Sequence, residues 1–202
     1  MDPVKRNILE VALAEFARYG FEGTRIDAVA AGTHTSKRMI YYHFGSKEGL
    51  YEAVLEFAYR QVRDGEDFSF LKQLPPLEAL ARYVSHAFHS FSRYPDFIRL
   101  SQQESLQGLR FLKKSPTIMA MNRTSLGVLQ DILRRGQEDG SMRTDIEALH
   151  LYMNFIGLCH YHISSRDNYA VQFDFDPATP ANAQARLNSI CDAIVRQAQA
   201  KP

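Results

Sequence analysis

The chain lacks tryptophan, has only two cysteines and carries almost no net charge, with 24 Lys and Arg against 23 Asp and Glu. Each shortage excludes something. Cys159 and Cys191 cannot build a disulfide scaffold or a zinc finger, and both fall on apolar faces, where a thiol acts as a small buried hydrophobe rather than a redox switch. No apolar run exceeds five residues, far short of the roughly 20 that a spanning helix requires. Glu10 and Glu15 interrupt the stretch that a signal peptide would keep apolar, so the expectation is a cytoplasmic protein with no membrane partner. There is no Gly-x-Ser-x-Gly elbow, no phosphate-binding glycine loop and no His-Glu-x-x-His pair. No catalytic residue, metal or cofactor is therefore expected. An apolar fraction of 45% over 202 residues is that of an ordinary folded chain, which excludes disorder and collagen-like architectures.

What the sequence does contain is helix punctuation. Pro3, Pro76, Pro95, Pro116 and Pro180 stand where helices can begin, since proline's missing N–H is unpaired at the first helical position anyway. Thr24-x-x-Asp27 and Thr144-x-x-Glu147 read as capping boxes, with Ser46 a looser case, and Gly20, Gly65 and Gly140 as stops. Between these marks the apolar period is helical, as in Val4, Ile8, Ala12 and Phe16. No stretch alternates as a strand would. The expectation is an all-α chain of about nine helices, near 2–19, 26–33, 36–43, 46–64, 75–93, 95–109, 115–139, 145–165 and 180–199, with 166–179 a loop. Helices are short before residue 65 and longer after it. That places a small N-terminal domain at 1–64, its helix-turn-helix near 25–44, and a larger helical domain at 65–202.

The near-zero charge conceals a local imbalance. Residues 24–47 contain Arg25, Lys37, Arg38 and Lys47 against Asp27 alone. Attraction to phosphate depends on where cations lie, not on their sum. The same window holds two short helices and a tight turn, the layout of a helix-turn-helix. In the second helix Ile40 and Phe44, four apart, can face inward while Lys37, Arg38 and Tyr42 face outward. Arg and Lys suit guanine edges or phosphate, and hydroxyl and imidazole groups suit phosphate oxygens. Lys47 opens the next helix beside unpaired backbone N–H groups, a natural phosphate site.

These residues are recognisable together. "LEVALAEFARYGFEGTRIDAVA" and above all "TSKRMIYYHFGSKEGLYEAVL" resemble the DNA-binding domain of TetR-family transcriptional regulators, over roughly the first 60 residues. The family's usual turn Ala-Gly-Val-Ser reads Thr33-His34-Thr35-Ser36 here, with His34 in place of the glycine. The resemblance implies a ligand-responsive regulator, most simply a repressor, working as a homodimer that inserts one recognition helix per subunit into successive major grooves of a near-palindromic double-stranded DNA operator. Thr35, Ser36, Lys37, Arg38, Tyr41, Tyr42, His43 and Lys47 carry over as DNA contacts, with Thr24 and Arg25 at the phosphate.

The remainder is similar, more loosely, to the family's ligand-binding and dimerisation domain. "YPDFIRLSQQESLQGLRFL" and "LYMNFIGLCHYHISSRDNYAVQF" resemble regulators of nucleobase and heterocycle catabolism. A small-molecule effector is then expected among Phe88, Phe91, Phe111, Met119, Asn122, Tyr152, Phe155 and His160, aromatic walls with a few polar groups. The stripe Leu187, Cys191, Ile194, Val195 and Ala198 suits a dimer interface, and equally a monomer core. Two alternatives stay open, a metal-sensing regulator using His86 and His89, which share a helix face, and a helical adaptor that does not bind DNA.

Overall fold

All five helix-opening prolines do begin helices in the computed structural model, which describes residues 1–33, 35–63 and 67–200. Among these residues there are ten α-helices and no strand. They are α1 (Pro3–Gly23), α2 (Ile26–Thr33), α3 (Lys37–Phe44), α4 (Lys47–Arg63), α5 (Pro76–Arg93), α6 (Pro95–Leu106), α7 (Pro116–Glu138), α8 (Ala148–Ser164), α9 (Arg166–Phe173) and α10 (Pro180–Ala198). The substituted turn residue His34 and the expected stop at Gly65 lie outside the described residues.

Three expectations about the elements are corrected. The segment 166–179 is not all loop, because 166–173 contains no helix breaker and forms α9. The loop-forming residues Asp174, Asp176 and Pro177 all follow it, and Asp174, at φ 49°, ends the helix. Helix α8 starts at Ala148 with Glu147 at its cap, so the Thr144 box does not open it. Nor does the Thr24 hydroxyl cap α2. It donates backward to the carbonyl oxygens of Gly20 (2.8 Å) and Glu15 (3.1 Å), closing the end of α1 where Gly20 turns to φ 69°.

The chain divides into two compact units, Met1–Asp64 with Tyr94–Met121, and Gly65–Arg93 with Asn122–Pro202. The first unit therefore takes in α6, which sequence punctuation assigns to the C-terminal domain. The reason is apolar surface: α1 packs against α6 as well as α4 and α2. Ile8, Ala12 and Phe16 of α1 are fully buried, whereas Val4 at the head of the same stripe is exposed. Rings from three parts of the unit meet, with Tyr51 of α4 edge-on to Phe16 at 4.8 Å and tilted on Phe111 at 4.8 Å. Each such side chain removed from water contributes about 1.5–3 kcal/mol.

In the second unit α5 packs against α8 and α10. Phe88 of α5 stacks on His162 of α8 with ring centres 4.9 Å apart, and Tyr83 lies edge-on to Phe155. The Arg135 guanidinium gathers the Leu71 and Leu74 carbonyl oxygens at 3.0 and 3.1 Å. Leu187, Ile194 and Ala198 of α10 are buried within this unit. That half of the expected interface stripe is therefore monomer core, since α5 and α8 already cover it. Cys191 and Val195 flank it, half-buried. Burial pushes the Cys159 thiol up to about 12, so it is protonated and unreactive at neutral pH.

Burial lowers the pKa of His162, with Arg186 and Arg166 acting in the same direction, and burial alone lowers that of His160. The fold thus disfavours protonation, and the unfolded chain binds more protons in acid. Stability from this source is complete above the ordinary imidazole pKa of about 6.5 and is lost as pH falls through the lower folded-state values. The melting temperature followed by circular dichroism is expected to drop between about pH 7.5 and pH 5, with a shallower slope in His162→Phe; an unchanged slope would contradict this account.

Candidate nucleic-acid interface

The second helix of the motif is built by one cap and one stop. The Ser36 hydroxyl accepts the Met39 amide at 3.2 Å and starts α3, and Gly45, at φ 75°, ends it by donating its amide to the Tyr41 carbonyl. Ser46 then caps α4 by accepting the Gly49 amide at 3.1 Å. A side chain at Gly49 would run into the Phe44 carbonyl oxygen, so the close approach of α3 and α4 requires glycine there. Ile40 is fully buried and anchors α3 to the unit. Phe44, expected to face inward with it, is only half-buried and lies under the Lys5 ammonium, 5.5 Å from the ring centre.

This anchoring turns a polar face outward. Tyr42 is 79% exposed, and Arg38, Tyr41, Ser36 and Arg25 are exposed as well, with Thr35 half-buried. His43 is half-buried with its ring edge-on to Tyr42 at 5.3 Å. Lys37 is not a free cation: its ammonium sits 3.0 Å from the Asp27 carboxylate of α2. Both partners are well exposed, so the pair contributes only about 0.2–1 kcal/mol and can be exchanged for phosphate. Lys47 donates to the Glu22 carbonyl at 3.4 Å and lies over the Phe21 ring.

One expected contact moves off the surface. Thr24 is 2% exposed with its hydroxyl already bonded, so the expectation of a side-chain phosphate contact is corrected to a structural role. Asp27 is the residue whose place at this face sequence reading does not assign. Sequence reading names it as the acid of the Thr24 capping box and as the lone acid in a basic window, and its pairing with Lys37 depends on the turn that brings α2 beside α3.

Family comparison agrees with the geometry. Residues 8–54 match the model for bacterial regulatory proteins of the tetR family, and residues 76–194 match a tetracyclin repressor-like C-terminal domain. The chain belongs to the TetR family. It is a DNA-binding transcriptional regulator. It is 33% identical over 196 residues to the HTH-type transcriptional repressor NicS of Pseudomonas putida, covering 96% of this chain and 92% of that one. It is also 36% identical over 111 residues to the regulator RutR of Escherichia coli, about half of each chain. Among solved structures, the TetR family regulator PfmR of Thermus thermophilus superposes with a TM-score of 0.64 at 28% identity, over 94% of this chain and 97% of that one. The ketosteroid regulator KstR2 of Mycobacterium tuberculosis, at 20% identity and a TM-score of 0.71, covers 100% of this chain and 97% of that one, and shares the fold.

The eight residues expected around an effector of this TetR regulator are divided between the two units. Phe111 and Met119 belong to the first unit, where Phe111 packs on Phe21 and Tyr51. Phe88, Phe91 and Phe155 are buried in the second unit, with Tyr152 edge-on to Phe155, while Asn122 and His160 are half-buried there. Two cavities of the second unit, of about 300 and about 440 Å³, have none of the eight on their walls. Phe and Met at helical spacing mark a core before they mark a ligand. Of the two histidines weighed for metal, His86 lies edge-on to Phe68 and His89 beside Phe88; among the described residues no three His, Cys, Asp or Glu gather.

Replacing Asp27 by Asn removes a negative charge from the face that meets phosphate and releases Lys37. Affinity for duplex DNA of any sequence is expected to rise a few-fold at low salt, with the gain fading above about 0.3 M salt. Fluorescence anisotropy across a salt series checks this, and lower affinity in the variant would mean that Asp27 instead positions Lys37 for binding.

Proposed function

We propose that this regulator is a repressor that binds a near-palindromic operator as a homodimer and leaves it when a small molecule occupies the second unit. The observation that carries the reading is α3 itself, anchored by Ile40 and capped by Ser36, with Lys37, Arg38, Tyr41 and Tyr42 turned outward. In this reading the exposed Arg38 meets a base edge. Lys37, Tyr41, Tyr42, His43, Lys47, Arg25 and the Thr35–Ser36 turn then meet phosphate or orient the helix. The functional division we propose is DNA reading by 1–64, and effector binding and dimerisation within 65–202. The similarity to a named repressor over nearly the whole chain supports the sign of regulation.

Dimerisation follows from the operator's symmetry, because two recognition helices about 34–36 Å apart fit successive major grooves. The expected face of α10 is occupied by its own unit, which leaves α8 as the better candidate surface. Leu149, Met153 and Gly157 recur there every four residues and are exposed, Met153 to 61%. Exposed apolar residues in register are a reason for a partner. An effector releases DNA only through its differential affinity for the two states of such a dimer. In this reading the protein works in the cytoplasm, where its DNA partner lies. Among the described residues no helix is long and apolar enough to cross a membrane.

Anisotropy with DNA from upstream of the protein's own gene tests the reading. Tight, salt-dependent, sequence-selective binding is expected, and a Lys37→Ala/Arg38→Ala variant should lose about 1–3 kcal/mol along with the selectivity. Binding unchanged in the variant would displace α3 as the reader. In sedimentation, Met153→Asp is expected to give folded monomers, while Ile194→Asp, at a fully buried site, should unfold the second unit instead. A dimeric Met153→Asp would rule out this face of α8.

A further inference from the structure

The smaller cavity of the second unit, of about 300 Å³, is built from parts that share one chemistry. Tyr161 of α8 and Tyr169 of α9 stand edge-on, ring centres 6.1 Å apart, and Phe175 from the following turn adds a third ring to the lining. His162, 6% exposed and stacked on Phe88, lines it as well. Arg186 of α10 brings a guanidinium.

Arg186 is the one arginine on the wall of this cavity. Nine others (6, 60, 82, 99, 110, 134, 135, 143 and 196) are paired with carboxylates. Arg186 is half-buried and has no ion pair or hydrogen bond among the described residues. Asp176, which sits in the chain between the lining residues Phe175 and Pro177, accepts the Ala178 amide on its carboxylate at 2.8 Å and the Asn182 side chain on its backbone carbonyl at 2.7 Å, and no ion pair joins it to Arg186 among the described residues. A guanidinium keeps its charge at any physiological pH, so one withdrawn partly from water and facing a cavity calls for an anion. Burial and the two neighbouring arginines hold His162 neutral, which leaves it a hydrogen-bonding group rather than a second cation.

We propose that this cavity binds a small aromatic carboxylate, its ring against Tyr161, Tyr169 and Phe175 and its carboxylate on the Arg186 fork. A planar fork matches a carboxylate with two parallel hydrogen bonds, and aromatic walls favour a flat ring at offset or edge-on contact. The volume lies at the lower end of the range for ligand sites, about 300–1,000 Å³, which suits one ring or a fused pair. A neutral hydrocarbon would leave the cation unmatched. The assignment depends on the ligand-responsive reading only for calling this molecule the effector; its binding stands apart from DNA.

Titration calorimetry on the full-length protein tests it, with benzoate and 1-naphthoate as probes and the matching carboxamides as neutral isosteres. At least one acid is expected to bind about tenfold or more tightly than its amide. Arg186→Gln should abolish that preference with an unchanged melting temperature. Should that variant fail to fold, Arg186→Lys, a charge without a fork, should keep the preference at several-fold lower affinity. Neither acid binding, acids and amides binding alike, or a folded Arg186→Gln variant that still prefers the acid would each overturn the assignment. Operator binding measured in parallel separates the two claims. DNA bound with no acid bound removes the cavity assignment alone, whereas an Arg186-dependent acid with no DNA bound keeps it and removes the regulator reading.

Discussion

The interaction on which the DNA-binding unit most depends is a carboxylate without access to water. Glu104 of α6 is fully buried, and its Oε2 accepts the amides of Phe111 and Leu112 at 3.1 and 2.9 Å. Those bonds hold the loop after α6, which reverses through Gly108 (φ 69°) and Leu109 (φ 59°), and so fix the Phe111 ring against Phe21 and Tyr51. Tyr51 belongs to α4, and α4 carries α3. Burial and the neighbouring Glu104 charge push the Tyr51 phenol well above its ordinary pKa, so it stays neutral beside the acid. A buried charge stripped of its donors costs several kcal/mol, which binds loop, ring cluster and helix support into one cooperative element.

The order of the first unit's elements was legible where local chemistry decides structure. Proline at a first turn, Ser46 at a cap and Gly20 at a break in α1 act within a few residues, and the chain obeys them. The outward turn of Tyr42 and the inward turn of Ile40 follow from helical period alone. Thr24 departs from its expected role because a hydroxyl before a helix has two sets of partners. A capping box looks forward to amides, but here the hydroxyl turns back to the Gly20 and Glu15 carbonyls, where helical geometry breaks at Gly20. The return of α6 to the first unit has no local signal, since it depends on which buried stripe meets which.

The second unit marks the same limit from the other side. A stripe such as Leu187 to Ala198 says that a face will be covered, and period cannot say by whom; α5 and α8 cover it here. The exposed apolar positions of α8 sit in a helix hydrophobic nearly all round, where sequence does not separate core from surface. The effector residues were sought among the largest apolar side chains, which are the ones the core consumes first. The cavity's own lining, Tyr161, Tyr169, Phe175 and Arg186, includes residues of the stretch read as loop and becomes a wall only once α9 forms.

The Asp27–Lys37 pair gives the recognition helix an internal counterion. A solvent-facing lysine near DNA releases a bound anion or takes up a phosphate with nothing to give up, but this one must first let go of its own carboxylate. Lys37 is thereby held in check until a duplex offers something better, while Arg38 beside it stays exposed. Chance encounters with polyanions gain little from Lys37, and the balance of discrimination shifts toward Arg38 and the two tyrosines that follow it.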